Sequence, residues 1–172
     1  AGGSQVLLCA AIDAFYYTNL SPQLNAFNGG FWQTLESRVQ SWGRACANGT
    51  YDKVYVAKGG TLNDLLLDFR GAPVSGGTPT TDADGFTIHG LACPSHYFMA
   101  ILAEKGNTYH AIAFYVEHRA DLPEKPSADD LKACAISVDE LEELTGIDFF
   151  CNLPDVMEDE VEHACVLSDW TW

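Results

Sequence analysis

Basic side chains are scarce in this sequence. Nine Lys and Arg stand against 24 Asp and Glu in 172 residues, a formal charge of −15. A surface of that sign opposes long-range attraction of a polyanion, so general electrostatic capture of nucleic acid is disfavoured. Most of the imbalance is local: residues 117–162 hold 15 acids and 3 bases, leaving 9 acids and 6 bases elsewhere. The near-neutral remainder leaves room for a local phosphate site assisted by a divalent cation.

Long hydrophobic runs are absent too. The apolar stretches at 111–116 and 133–138 are strand-length, far short of the roughly 18–20 residues that span a bilayer, so no membrane partner is expected. No Lys/Arg-led apolar leader opens the sequence, and Ala1-Gly2-Gly3-Ser4 reads as a processed end. No C-x-x-C occurs among the six cysteines, Cys9, Cys46, Cys93, Cys134, Cys151 and Cys165, which removes the usual spacing of a structural zinc site. Their even number permits one or two disulfides, and small buried hydrophobes serve equally well. There is no internal repeat or low-complexity tract. The Gly/Pro/Thr/Asp-rich stretch 69–85 reads as a surface loop and 120–130 as a second break. Neither divides the chain, so one domain over 1–172 is expected.

What is present is a folding composition: 47% hydrophobic residues, with nine Phe, seven Tyr and four Trp, enough to bury a core and exclude disorder as the main state. Short segments rich in aromatic and β-branched residues predict strands at 6–12, 15–18, 54–57, 97–103, 109–116 and 133–136. A helix is predicted over 31–46, where Trp32, Leu35, Val39, Trp42 and Cys46 recur at spacings of 3 and 4. Ser137 followed by Glu140 has the form of a capping box opening a second helix that Gly146 closes. The run 152–154 reads as the cap and first turn of a third helix towards Ala164, with Asp155, Glu158 and Asp159 early, where the helix dipole favours them. Helices mixed with antiparallel-looking strands indicate an α+β fold.

The densest chemistry lies between Thr18 and Glu36, where the amides Asn19, Gln23, Asn25 and Asn28 gather just before and at the start of the first helix. A helix N-terminus favours an anion, and an amide oxygen with waters suits Mg²⁺. With Asn28 near the helix start, Glu36 and Gln40 fall on roughly its side, away from the apolar stripe. The same amides also serve loops and caps.

Thr18-Asn19-Leu20-Ser21-Pro22-Gln23, Asn28-Gly29-Gly30-Phe31-Trp32, Leu35-Glu36, Tyr55-Val56-Ala57-Lys58-Gly59-Gly60 and the later segment 137–150, with its Thr-Gly-Ile-Asp-Phe-Phe turn, together resemble the DNA/RNA non-specific endonucleases. The resemblance covers roughly residues 6–162. It implies a central antiparallel sheet with flanking helices of the ββα-metal, or His-Me finger, type. It also implies metal-dependent phosphodiester hydrolysis of DNA and RNA without sequence preference, with Mg²⁺ or Mn²⁺ as cofactor. By that likeness Asn28 is the sole direct protein ligand of the metal, Glu36 steadies the metal's water shell, and Asn19 and Gln23 hold the site's geometry.

Two departures bear on activity. The family's general-base histidine comes from an Asp-Arg-Gly-His motif that occurs nowhere in this sequence. Residues 8–13 resemble the stretch that follows it, which puts Leu7 in the histidine's place. Gln40 occupies the position of a phosphate-neutralising arginine. The five histidines, His89, His96, His110, His118 and His163, lie outside the motif and read as structural. The expectation is a nuclease-family domain impaired in hydrolysis. The alternative is a catalytically inactive binding module whose acidic face, 117–162, docks a basic protein partner. The likeness to exported nucleases, with the cysteine count, points to a secreted or periplasmic location.

Overall fold

The computed structural model describes residues 21–71, 73 and 75–172. The strands expected at 6–12 and 15–18, and the site positions Leu7 and Asn19, lie outside the described residues.

Four strands form one antiparallel meander in the order β1-β2-β3-β4: β1 Lys53–Gly60, β2 His96–Lys105, β3 Thr108–Glu117 and β4 Ala135–Ile136. A two-residue turn, Gly106-Asn107, joins β2 to β3 with Lys105 opposite Thr108. Gly106 takes φ 61°, the left-handed value that the first central position of such a tight hairpin demands. Around the sheet lie α1 Gln33–Arg44, α2 Ala128–Lys132, α3 Val138–Thr145 and α4 Asp155–His163. No described helix is long and apolar enough to cross a membrane.

Side chains alternate across β2 and divide the core in two. Tyr97, Met99, Ile101 and Ala103 join Phe27, Phe31, Trp32, Leu35, Val39 and Trp42 on the α1 face. Phe98, Ala100 and Leu102 join Val138, Leu141, Phe149 and Val161 on the α3/α4 face. Because both faces of β2 and β3 are covered, these strands read as nearly continuous apolar runs rather than as alternating ones. The expected α+β architecture, a central antiparallel sheet with flanking helices, is what forms.

Several boundaries differ from the sequence expectation. The first helix begins before Phe31: a π-helical turn over Phe27–Trp32 leads into α1, and a 3-10 turn over Ala45–Asn48 ends it. Of the stripe, Trp32, Leu35, Val39 and Trp42 are buried and Cys46 is half-buried. Only Ala135 and Ile136 of the segment 133–136 pair as strand, because the preceding residues complete the end of α2. Ser137 does cap α3 by accepting from the Glu140 N–H at 3.1 Å. The reciprocal capping box sits instead at Ser127 and Asp130. Pro154 is the N-cap of α4 rather than part of its first turn. The stretch 69–85 is tied down by the bridges Arg70 to Thr80 and Thr81 to Thr87. Cys46, Cys93, Cys134, Cys151 and Cys165 are all free thiols.

Candidate active site

A cleft of about 820 Å³ opens where the start of the first helix, the end of β1 and the segment before β2 converge. Gln23, Asn28, Trp32, Glu36, Lys58 and Tyr97 line it, with Gly60 and Pro94 in its wall. Three of the four residues singled out in the sequence, Gln23, Asn28 and Glu36, therefore share one cavity. Asn19 is the fourth.

The floor is aromatic. Phe27 stacks on Trp32 at 5.7 Å between ring centroids, and Tyr97 lies 5.4 Å from Phe27 and 5.5 Å from Trp32. His118, 1% exposed, meets Phe27 and Tyr97 edge-on at 4.9 and 5.2 Å. This packing fixes the π-helical turn that carries Asn28, a local geometry often found where a helix serves a site.

Hydrogen bonds from the same floor pin residues 21–24. The Leu24 N–H donates to His118 Nε2 at 2.7 Å. That acceptor role places the imidazole proton on Nδ1, which donates to the Pro94 carbonyl at 2.8 Å. Burial pulls the His118 pKa down and keeps the ring neutral. The Tyr97 hydroxyl donates to the Pro22 carbonyl at 3.0 Å and stands 2.7 Å from Ser21 Oγ. Burial pushes the Tyr97 phenol and the Cys93 thiol each up to about 12, so both stay protonated at neutral pH.

The polar wall is built from α1 and β1. Glu36 Oε1 accepts from Lys58 Nζ at 2.6 Å, which sets a cation beside the carboxylate in the cleft that Asn28 also lines. The Asn28 side chain is exposed and makes no hydrogen bond among the described residues. An amide oxygen and a carboxylate lining one cleft are all-oxygen donors suited to Mg²⁺ or Mn²⁺, ions that keep several waters when bound. Glycine makes the wall possible: a Cβ on Gly60 would lie 2.8 Å from Pro94 Cβ and 3.3 Å from Tyr97 Cε1.

Gln40 is not brought into the cleft. It is exposed on α1 and accepts from Arg44 one turn later at 3.0 Å. Sequence spacing placed it on Glu36's side, but the Arg44 bond holds it along the outer helix surface. No histidine lines the cleft among the described residues. Both His118 nitrogens are committed, His96 bonds Ser95 Oγ at 2.9 Å and stacks on Tyr115 at 4.5 Å, and His110 and His163 pair with Asp169 and Asp139. His89 is exposed, next to Gly90 of the cleft wall.

Lys58 and the Tyr97 floor were not anticipated as site residues. The signal for Lys58 was in the segment 55–60, where a lysine precedes two glycines at the end of a strand.

A family model described as DNA/RNA non-specific endonuclease matches residues 10–156. Among curated proteins the chain is 28% identical over 149 residues to mitochondrial endonuclease G of Bos taurus, covering 82% of this chain and 42% of that protein. It is also 28% identical over 155 residues to mitochondrial nuclease 1 of Schizosaccharomyces pombe, covering 83% and 41%. The chain thus spans less than half the length of these relatives. A solved structure titled as an EndoG/EndoGI complex matches with a TM-score of 0.55 at 22% identity, over 83% of this chain and 53% of that one.

Proposed function

The chain belongs to the DNA/RNA non-specific endonuclease family, and from that premise we propose that its cleft takes a nucleic-acid phosphodiester beside a divalent cation, in a site whose hydrolytic power is reduced. What supports the reading is the gathering of Gln23, Asn28, Glu36 and Lys58 around one cavity. Asn28 would hold Mg²⁺ or Mn²⁺ through its side-chain oxygen, with Glu36 bonded to the ion's waters. Gln23 orients the entrance and Asn19 contributes from the same motif. Such an ion supplies Lewis-acid stabilisation of the charge that builds on the phosphoryl oxygens.

This chain's own residues provide binding and charge. Lys58 is the one cationic side chain lining the cleft among the described residues, so it carries the phosphate neutralisation that Gln40 cannot. The Glu36–Lys58 pair fixes both groups without substrate, and a phosphate entering the cleft competes with Glu36 for the ammonium. A water at the cleft lacks an imidazole to take its proton among the described residues, and Glu36 is already engaged by the Lys58 ammonium. Loss of a general base typically lowers a rate by about 10²–10⁴. Slow, metal-dependent cleavage of DNA and RNA without sequence preference is the activity that remains.

The test is incubation of supercoiled plasmid and of single-stranded RNA with the purified chain in Mg²⁺ or Mn²⁺, against EDTA and an Asn28→Ala variant. Slow cleavage that needs both the metal and Asn28 supports the reading. A folded chain with no cleavage above the EDTA background contradicts residual activity. The alternative, a binding module, then takes its place.

A further inference from the structure

After Lys132 the chain has eleven Asp and Glu and no Lys or Arg. Three of these acids converge between two helices on the sheet face opposite α1. Asp139 and Glu142, one turn apart on α3, and Glu162 on α4 each bring a carboxylate oxygen within 4.8 Å of the others. Glu142 is held in place because its Oε1 accepts the Phe149 N–H at 2.6 Å, and Asp139 is bonded to exposed His163 at 2.9 Å. Glu162 has no such anchor. It is 5% exposed, and its Oε1 is buried with no hydrogen-bond partner among the described residues. Glu158, one turn earlier on α4, leaves its own Oε1 buried and unpartnered.

Buried carboxylate oxygens are normally paired, because desolvating them alone is costly. Here the unpartnered Glu162 side chain points into a nest of like charge. A ligand that accepts several oxygens and carries positive charge resolves both the repulsion and the orphaned atoms.

We propose that Asp139, Glu142 and Glu162 form a calcium-class divalent cation site that clamps α3 to α4, separate from the catalytic cleft. The donor chemistry selects the ion: three carboxylates on two helices suit Ca²⁺, which takes six to eight oxygens in flexible geometry, better than Mg²⁺, which demands a near-ideal octahedron and keeps several of its waters. The three carboxylate oxygens already lie close enough together to share one ion. The all-carboxylate donor set suits a hard cation, and waters complete the six to eight oxygens that Ca²⁺ takes. The site's role is structural: α3 and α4 cover the Phe98, Ala100 and Leu102 face of the sheet, so tying them together fastens that side of the core.

The experiment is calorimetric titration of CaCl₂ into the chain carrying Asn28→Ala, which removes the proposed cleft ligand, with thermal melts alongside. One Ca²⁺ per chain with Kd on the order of 10⁻⁴ M, weaker binding of Mg²⁺, and a melting temperature that rises with Ca²⁺ are expected. Adding Glu162→Gln weakens Ca²⁺ binding at least tenfold while the cation-free protein melts no lower. Asp139→Asn, at a more exposed position, provides the same test should Glu162→Gln fail to fold. Absence of Ca²⁺ binding in the Asn28→Ala protein, parental affinity in a folded Glu162→Gln or Asp139→Asn variant, or Mg²⁺ binding as tightly as Ca²⁺ would overturn the proposal.

Discussion

Glu36 on α1 and Lys58 on β1 are joined at 2.6 Å across 22 residues of sequence, and this pair forms the charged wall of the cleft. It ties the helix that carries Asn28 to the sheet's first strand and holds the one cationic side chain that lines the cavity among the described residues. In the proposed function, phosphate affinity and metal affinity would be coupled through the same carboxylate.

Lys58→Ala should weaken nucleic-acid binding about three- to tenfold and reduce the slope of log affinity against log salt by about one. Thermal stability should change by less than about 1 kcal/mol, because the ion pair is partly solvated. Fluorescence anisotropy with a labelled oligonucleotide across a salt series checks the first expectation. An unchanged salt slope would remove Lys58 from the phosphate site.

His118 makes the cleft floor pH-sensitive. Its folded pKa lies below the ordinary 6.5 because the ring is buried. The unfolded chain thus takes up the proton more readily, and stability rises with pH. This contribution is complete above pH 6.5 and is lost as the pH falls below it. His118→Phe keeps the aromatic packing but strands the Leu24 N–H and the Pro94 carbonyl, at a cost of about 2–4 kcal/mol. Chemical denaturation between pH 5 and 8 should show lower stability for the variant and a weaker fall between pH 7 and 5.

Gly60 in the cleft wall and Gly29 in the π-helical turn should respond oppositely. A Cβ on Gly60 meets Pro94 and Tyr97, so Gly60→Ala should cost about 1–3 kcal/mol and distort the wall. A Cβ on Gly29 meets nothing within 4 Å. Gly29→Ala should gain a few tenths to about 1 kcal/mol, since alanine restricts the unfolded chain in a helical position. Parallel thermal melts decide the matter.

Glu162 gives the opposite pH signature to His118. Burial first, then Glu142, Glu158, Asp139 and Asp148, push its carboxyl up to about 8. A carboxyl raised above its unfolded value of 4.5 contributes stability that is present in acid and lost as the pH climbs from 4.5 towards 8. In EDTA, Glu162→Gln should therefore melt higher than the parent at pH 8, with the difference disappearing near pH 4.5.

The parts of this fold that rest on local periodicity were legible in the sequence. β2 and β3 announced themselves by dense aromatic and β-branched residues, and the Trp32, Leu35, Val39 and Trp42 stripe announced the helix. The helix start was not, because the π-helical turn through Asn28-Gly29-Gly30 depends on Phe27 packing against Tyr97 and His118, residues 70 and 91 positions away. The gathering of Gln23, Asn28 and Glu36 was legible because they lie within 14 residues. Lys58 was not, since its role depends on the pairing of β1 with β2. Gln40 misled by helical spacing, which gives a side of the helix and not the direction in which Arg44 draws the amide. The acidic stretch read only as a charged face open to a basic partner, and the packing of α3 on α4 is what turns Glu162 inward.

The central claim is that the cleft beside Asn28 holds a divalent cation. Paramagnetic broadening by Mn²⁺ of the Trp32 indole N–H, in a Glu162→Gln background that silences the second site, tests it most directly. Broadening of the Trp32 resonance before that of Trp42, abolished by Asn28→Ala in a protein of unchanged fold, is the expected result. Equal broadening with and without Asn28, or none at Trp32, would contradict the account.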